Sequence, residues 1–439
     1  MSGFRWTHDN VATTPHRARR LLGRVLWLLS ACIIALLTLT PAPRGTEING
    51  FCIVCGAAGG TDAVLNVLLF VPLGVGLALD ELKPGVAIAA MCLASIGIEL
   101  LQLNVIPNRD ATISDVVMNS AGGMIGFVIG RRFDRLAWPD ARLASRLALV
   151  WAVAWLALQI LSAVAYVPAP PRTRFYGQIA RDNSVPRFDG IVVHPTLDGR
   201  PIHDWALDDS EILRRALRRA EGAVFEATVV AHACSHGVAP IVRIAAVGDA
   251  AVVNVSQVGP DFAYGIRTVA EVLKLRRMRF RLANVFRAAC AQPVVFDTVV
   301  LRAAYARSSA QLAARTRSGA RRLVCRPRLS QGWRLVMPTQ TYADCSPLDA
   351  LLGAAWMALL LLPGAYWIAR ARAGGRDHAA MTPIAAGTLV LVAGVVLVPM
   401  LLRLPPTPWQ DWLGMVCGAI GGATLVPWLD SVGGHVTRR

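Results

Sequence analysis

Residues 98–126 read IELLQLNVIPNRDATISDVVMNSAGGMIG, and residues 61–79 read TDAVLNVLLFVPLGVGLAL. Both stretches are apolar enough to cross a bilayer, yet together they carry Asp62, Asn66, Glu99, Gln102, Arg109, Asp110, Asp115 and Asn119. Charge inside hydrocarbon is costly and marks a functional site. On a helix, residues three or four apart share a face. Asp62 and Asn66 therefore lie together, as do Ser95, Glu99 and Gln102, while Asp115, Asn119, Gly122 and Gly126 form one stripe. Its polar members sit at the outer end and its glycines deeper, where small residues let helices approach closely. Arg109 and Asp110 fall on the short connection between the two helices. The pattern predicts one polar cleft at a membrane face.

The remainder of the chain agrees with a polytopic α-helical membrane protein of about eight transmembrane helices. Apolar residues make up 54% of the 439 and charged residues only 17%, too few to cover a soluble protein of this length. Crossing the hydrocarbon takes about 20 apolar residues. Runs of that kind lie at 21–40, 62–79, 84–101, 113–130, 147–167, 348–369, 382–402 and 409–429. Arg17, Arg19, Arg20 and Arg24 precede the first run. Arg131, Arg132, Arg135, Arg142 and Arg146 lie between the fourth and fifth, Arg370, Arg372 and Arg376 follow the sixth, and Arg438 and Arg439 end the chain. The positive-inside rule makes all these segments cytoplasmic, and an even number of spans satisfies every one. The first run reads as a retained anchor, because Pro41-Ala42-Pro43-Arg44 lacks a small-x-small cleavage site. The expected organisation is a cytoplasmic N-terminus at 1–20, a first membrane domain at 21–146, a single span at 147–169, an external domain at 170–345, and three further helices at 346–439.

The external segment has a different texture. Short β-branched runs at 188–194, 223–231, 241–246, 252–257, 278–285, 294–303 and 333–337 predict strands of an all-β sandwich on the extracytoplasmic side. One helix is expected at 208–220, with Leu213 and Leu217 on one face and Arg214, Arg215, Arg218 and Arg219 mainly on the other. From 172 to 345 there are 26 basic and 14 acidic residues, so +12 of the chain's net +17 falls here. Such a field favours anionic neighbours, lipid headgroups or acidic envelope polymers, although a solvated basic surface would look the same. No nucleic-acid-binding motif accompanies the charge.

Cysteine placement fits an oxidising compartment. Cys52 and Cys55 lie in the first outer loop, and Cys234, Cys290, Cys325 and Cys345 in the external domain. Four cysteines allow three connectivities, of which Cys325 with Cys345 is the one expected. Cys52-Ile53-Val54-Cys55 has redox-motif spacing without a βαβ setting and reads as a small disulfide or two free thiols. Cys32, Cys92 and Cys417 fall within spans and read as packed small hydrophobes. His232-Ala233-Cys234-Ser235-His236 could offer soft metal ligands, but a loop between strands explains it equally, and no metal or cofactor is called for.

The positions Asn66, Phe70, Pro72 and Gly74, followed by Glu99, Gln102, Arg109, Asp115, Asn119, Gly122 and Gly126, resemble the VanZ-like family of bacterial membrane proteins. The resemblance covers a core at 62–132 and implies an inner-membrane, envelope-associated module with a link to teicoplanin-type glycopeptide resistance. Residues 240–268, PIVRIAAVGDAAVVNVSQVGPDFAYGIRT, are similar to the paired-strand core of concanavalin or laminin-G-like jelly rolls. The Asp/Asn cluster of a calcium-dependent lectin is not evident there. Asp115-x6-Gly122-x3-Gly126 recurs as Asp411-x6-Gly418-x3-Gly422, with Met415 where Asn119 would stand, a spacing that glycine-rich membrane helices also reach by coincidence.

Two classes of function follow. In an enzyme or lipid-handling protein acting on a lipid-linked phosphate or glycan, Arg109 would clamp an anionic group and Glu99 or Asp115 would serve as general base. Asp62, Asn66, Gln102, Asp110 and Asn119 would then line the substrate. In the favoured reading, a binding or structural module near anionic envelope components, the same groups hydrogen-bond across helices. Transport fits less well, since the cluster lies near one face rather than at the midplane.

Overall fold

The computed structural model describes residues 14–41, 51–53, 56, 58–180, 187–248, 250–291, 295–306, 308–337, 342–374 and 378–437. Cys55, Arg376, Arg438, Arg439 and the segment from Ala42 to Arg44 lie outside the described residues.

The first compact unit is built on α1 (Thr14–Thr38), β1 (Phe51–Cys52), α2 (Gly59–Leu79), α3 (Pro84–Asn104), β2 (Ala111–Thr112), α4 (Ile113–Arg131) and the short α5 (Phe133–Ala137). Pro84 opens α3 at the first turn, where its missing N–H has no partner to lose. Thr112 caps α4, its hydroxyl accepting the main-chain N–H of Asp115 at 2.8 Å. The interior is narrow: Ile34, Phe70, Leu73, Leu77, Met91 and Phe127 pack together. Leu21, Leu36, Leu68 and Leu100 project outward, as on helices that meet lipid. At the end of the unit near the first arginines, Arg24 pairs with Asp80 at 2.9 Å and Arg19 with Asp134 at 2.8 Å.

The second unit begins within α6 (Ala141–Ala165) and holds most of α9 (Pro347–Ala373), α10 (His378–Leu401) and α11 (Trp409–Thr437). By length and composition, α1, α2, α3, α4, α6, α9, α10 and α11 supply eight candidate membrane spans, so the chain is a multi-pass membrane protein. Between α6 and α9 the chain forms a β-sandwich of two sheets. Its strands are β3 (Phe175–Ile179), β4 (Gly190–Leu197), β5 (Arg200–Pro201), β6 (Trp205–Leu207), β7 (Val224–Ala231), β8 (Val238–Ala246), β9 (Ala250–Val258) and β10 (Asp261–Ile266), continuing as β11 (Arg279–Leu282), β12 (Asp297–Tyr305), β13 (Ala310–Thr316), β14 (Gly319–Cys325) and β15 (Tyr342–Ala343). Helices α7 (Ser210–Arg218) and α8 (Val269–Val272) interrupt them. One sheet runs β15-β11-β10-β9-β8-β3-β6 and the other β14-β13-β12-β7-β4-β5, antiparallel except where β15 joins β11. Phe175, Phe225, Phe262, Phe280, Tyr264 and Tyr305 are enclosed in the sandwich core.

Several expectations are corrected here. Residues 333–337 are not a strand: Leu329–Leu335 is a 3-10 helix, started where the Gln331 side chain accepts the Arg328 main-chain N–H at 3.3 Å. The expected runs omit several strands, among them β3, β13 and β14; in β14, Arg321 and Arg322 on an exposed edge break the apolar alternation. Arg214 does not face solvent; it is buried, donates to the carbonyls of Pro171 and Thr173, and stacks 5.2 Å from the Phe175 ring. Cys32 and Cys417 are free and exposed on their helices rather than packed.

Cys325 is bonded to Cys345, as expected, and Cys234 to Cys290. The second bond withdraws Cys234 from any metal-ligand reading of residues 232–236. Cys52 is disulfide-bonded as well.

Candidate functional site

Helices α2 and α4 touch backbone to backbone. A Cβ on Gly122 would overlap the carbonyl oxygen of Val67, one on Gly126 that of Val71, and one on Gly74 that of Gly123. The contact numbers rise together along both helices, so α2 and α4 run in the same direction, as second and fourth spans must. This approach sets Asp62 and Asn66 of α2 against Asp115 and Asn119 of α4. Asn66 hydrogen-bonds the Asp115 carboxylate, and Asp62 and Arg109 act on it through space.

Thr112 is the hub of the site, and it was absent from the candidates. Its main-chain N–H donates to Glu99 Oε2 at 2.7 Å, and its hydroxyl both accepts from the Asp115 main-chain N–H and bonds the Asp115 side chain. Thr112-Ile113-Ser114-Asp115 is a capping-box spacing with an aspartate in the acceptor position, a signal the sequence did carry. The parallel pairing of Phe51 with Ala111 and Cys52 with Thr112, with the Ser114 N–H donated to Ile53 at 3.0 Å, ties the connection after α1 to this cap. Nothing in the pattern of Phe51 to Ile53 foretold that pairing.

Deeper in, Asn119 donates to Ser95 Oγ at 3.0 Å, and both side chains are buried. The Asn119 Oδ1 has no hydrogen-bond partner among the described residues. Glu99 is buried, whereas Asp62, Asn66 and Asp115 are half-buried, so one edge of the cluster is open.

Two expected members serve α1 instead. Gln102 donates to the Thr38 carbonyl at 2.8 Å, and Arg109 to those of Thr40 at 3.0 Å and Leu37 at 3.2 Å. These are carbonyls that the end of a helix leaves without intrahelical partners. Arg109 therefore closes the end of α1 and reaches Glu99 and Asp115 only through space. Asp110 lies half-buried on the same connection.

The arrangement brings together three carboxylates, two amides and two hydroxyls, a set that can accept hydrogen bonds from a polar ligand. Among the described residues no group of three or more His, Cys, Asp or Glu is placed to hold a metal ion.

No curated protein and no solved structure matches the chain. Residues 21–134 match the family model described as VanZ/LLP1. That segment contains every residue of the site, and it is the part of the chain that is similar to the VanZ-like family.

Proposed function

We propose that this protein is a non-catalytic envelope module of the bacterial cytoplasmic membrane. The polar groups of its VanZ-like helices tie those helices together at the outer leaflet, and its basic β-sandwich, on the extracytoplasmic side, meets an anionic envelope component. The family resemblance adds a role in tolerance of glycopeptide antibiotics of the teicoplanin type. The observation that carries this reading is Thr112: it binds Glu99 through its N–H and Asp115 through its hydroxyl, so both carboxylates are held as hydrogen-bond acceptors. Polar groups tied in this way to the main chain and to neighbouring helices serve to join membrane helices. The Cys234–Cys290 and Cys325–Cys345 disulfides support the oxidising side for the sandwich, and its excess of basic residues supports an anionic neighbour.

The alternative is chemistry on a lipid-linked phosphate or glycan, and the unpartnered Asn119 Oδ1 favours it. Glu99→Gln and Asp115→Asn separate the two. Amides keep an acceptor oxygen but cannot take a proton as a base. In a deletion strain under glycopeptide stress, both variants should complement at matched membrane abundance. Loss of complementation by well-folded variants would overturn the non-catalytic reading.

A further inference from the structure

The glycine contacts of the first unit are repeated in the second. A Cβ on Gly418 would overlap the carbonyl oxygen of Ala358, one on Gly414 that of Ala354, and one on Gly422 would lie 2.6 Å from that of Leu362. Aligning Asp411 with Asp115 sets Gly418 on Gly122 and Gly422 on Gly126. Their contacts then align Ala358 with Val67 and Leu362 with Val71. That register, fixed without reference to prolines, puts Pro363 of α9 on Pro72 of α2. It also puts core residue Leu361 on core residue Phe70. The order of parts agrees. Each unit has a first helix, a long connection, a proline-bearing second helix, a third helix, a short connection and a glycine-striped fourth helix. The β-sandwich is the long connection of the second set.

At the polar positions the sets part ways. Asn66 and Asn119 correspond to Met357 and Met415, which pack in one apolar cluster with Trp155, Leu361 and Val395. Asp62 corresponds to Gly353. A Cβ there would lie 3.0 Å from the Ser330 hydroxyl and 3.3 Å from its Cβ. Ser330 belongs to the 3-10 segment Leu329–Leu335, and its hydroxyl bonds the Asp411 side chain. The segment reaches all four helices. Leu329 packs with Ala163 of α6 and Val398 of α10, Gly332 abuts Ser162 of α6, and Arg334 pairs with buried Asp349 of α9. Ser330, Gln331 and Arg334 are all buried.

We propose that α6, α9, α10 and α11 are a second, diverged copy of the α1–α4 unit, closed at the Asp115-equivalent position by the chain's own segment Leu329–Leu335. This copy is the seat that holds the β-sandwich to the membrane helices and is not a second ligand site. The inference rests on the preceding reading only in treating α1–α4 as the working copy.

The segment's seating is tested by locking it. Ser330→Cys with Gly353→Cys brings two Cβ atoms to about disulfide distance, 3.3 Å by the glycine geometry. In the full-length protein the 330–353 disulfide should form without added oxidant, be found in the linked peptide, and leave complementation under glycopeptide stress unchanged. Absence of the link would show that the segment is not seated there. A link with complementation lost would show that the segment must leave, making this copy a gated site. Either result overturns the proposal. A hydroxyl exchange gives a second measure. Gly353→Ser and Ser330→Gly should each lower the Tm of the full-length protein, and the double variant should recover most of the loss because residue 353 then supplies the hydroxyl to Asp411. An additive loss would overturn the proposal. The Glu99→Gln and Asp115→Asn results bear on the first copy alone, so failure of that reading is separately visible.

Discussion

The main-chain N–H of Thr112 donates to the Glu99 carboxylate at 2.7 Å, joining the start of α4 to the buried face of α3. The bond is made to a side chain by a group that the helix itself cannot satisfy. Thr112 thus holds both carboxylates while capping its own helix.

Thr112→Ala should therefore cost about 1 kcal/mol for the cap hydroxyl, and Thr112→Ser should restore most of it. Glu99→Leu orphans the Thr112 N–H in a buried place and should cost about 1–3 kcal/mol, whereas Glu99→Gln should cost little. Denaturation of the purified protein in detergent, variant by variant, checks the order. Equal loss for Gln and Leu would show that the bond adds nothing.

Arg109 directs its donors to the end of α1 rather than to a carboxylate. Because it caps the Leu37 and Thr40 carbonyls, Arg109→Ala should cost about 1 kcal/mol, not the several expected of a broken buried ion pair. In a double-mutant cycle, Arg109→Ala and Glu99→Gln should be additive to within about 0.5 kcal/mol. A larger coupling would restore direct pairing.

The membrane helices were legible because their signals are local: apolar runs, arginine flanks and residues repeating on one face. Asp62, Asn66, Asp115 and Asn119 lie together because glycine contacts hold α2 and α4 in one register. The hydrogen bonds of Arg109 were not legible, because the pattern does not show that the end of α1 comes within reach of the connection carrying it. The segment 329–335 was misread for a related reason. Trp333 and Leu335 look like strand residues, but Gln331 accepts the Arg328 N–H that starts the 3-10 turn, and Arg334 pairs with Asp349, which lies beyond the strand window.

Glycine contacts offer a test of the shared register. Gly126→Ala and Gly418→Ala each force a methyl group against a carbonyl oxygen and should lower stability by about 1–3 kcal/mol. Gly97 of α3 has open space around its position, so Gly97→Ala should leave stability unchanged or raise it by up to about 1 kcal/mol through helix propensity. Thermal unfolding of the three single variants measures both. If all three behaved alike, close approach would not be what these glycines provide.

Alkaline pH probes the sandwich core. Burial pushes the hydroxyls of Tyr166, Tyr264 and Tyr305 above the ordinary tyrosine range, and Tyr305 donates to the Tyr166 carbonyl at 2.8 Å. Folded values above the unfolded value of 10.0 mean that the stability these groups lend is whole below that pH. It drains away as pH rises past it, because the unfolded chain can release protons that the folded one retains. In a tyrosinate absorbance titration, these three of the six tyrosines should ionise together with unfolding, in one cooperative step. Tyr305→Phe should leave two in that step and cost about 1 kcal/mol for the lost hydrogen bond. Smooth ionisation of all six in a protein still folded by circular dichroism would contradict the burial.

Orientation is tested by two surface positions separated by a single crossing helix, Ala141–Ala165. Arg132 and Ser308 are both exposed, and free Cys32, Cys92 and Cys417 can be replaced to remove background. In intact spheroplasts an impermeant thiol reagent should label Ser308→Cys at once, and Arg132→Cys only after the membrane is opened. The arginines between α4 and α6 argue for this side, and so do the sandwich disulfides, which persist where the surroundings are oxidising. Labelling of both positions from outside would mean that α6 does not cross. Labelling of Arg132→Cys alone would invert the orientation and place the basic sandwich in the cytoplasm, removing the envelope component from its reach.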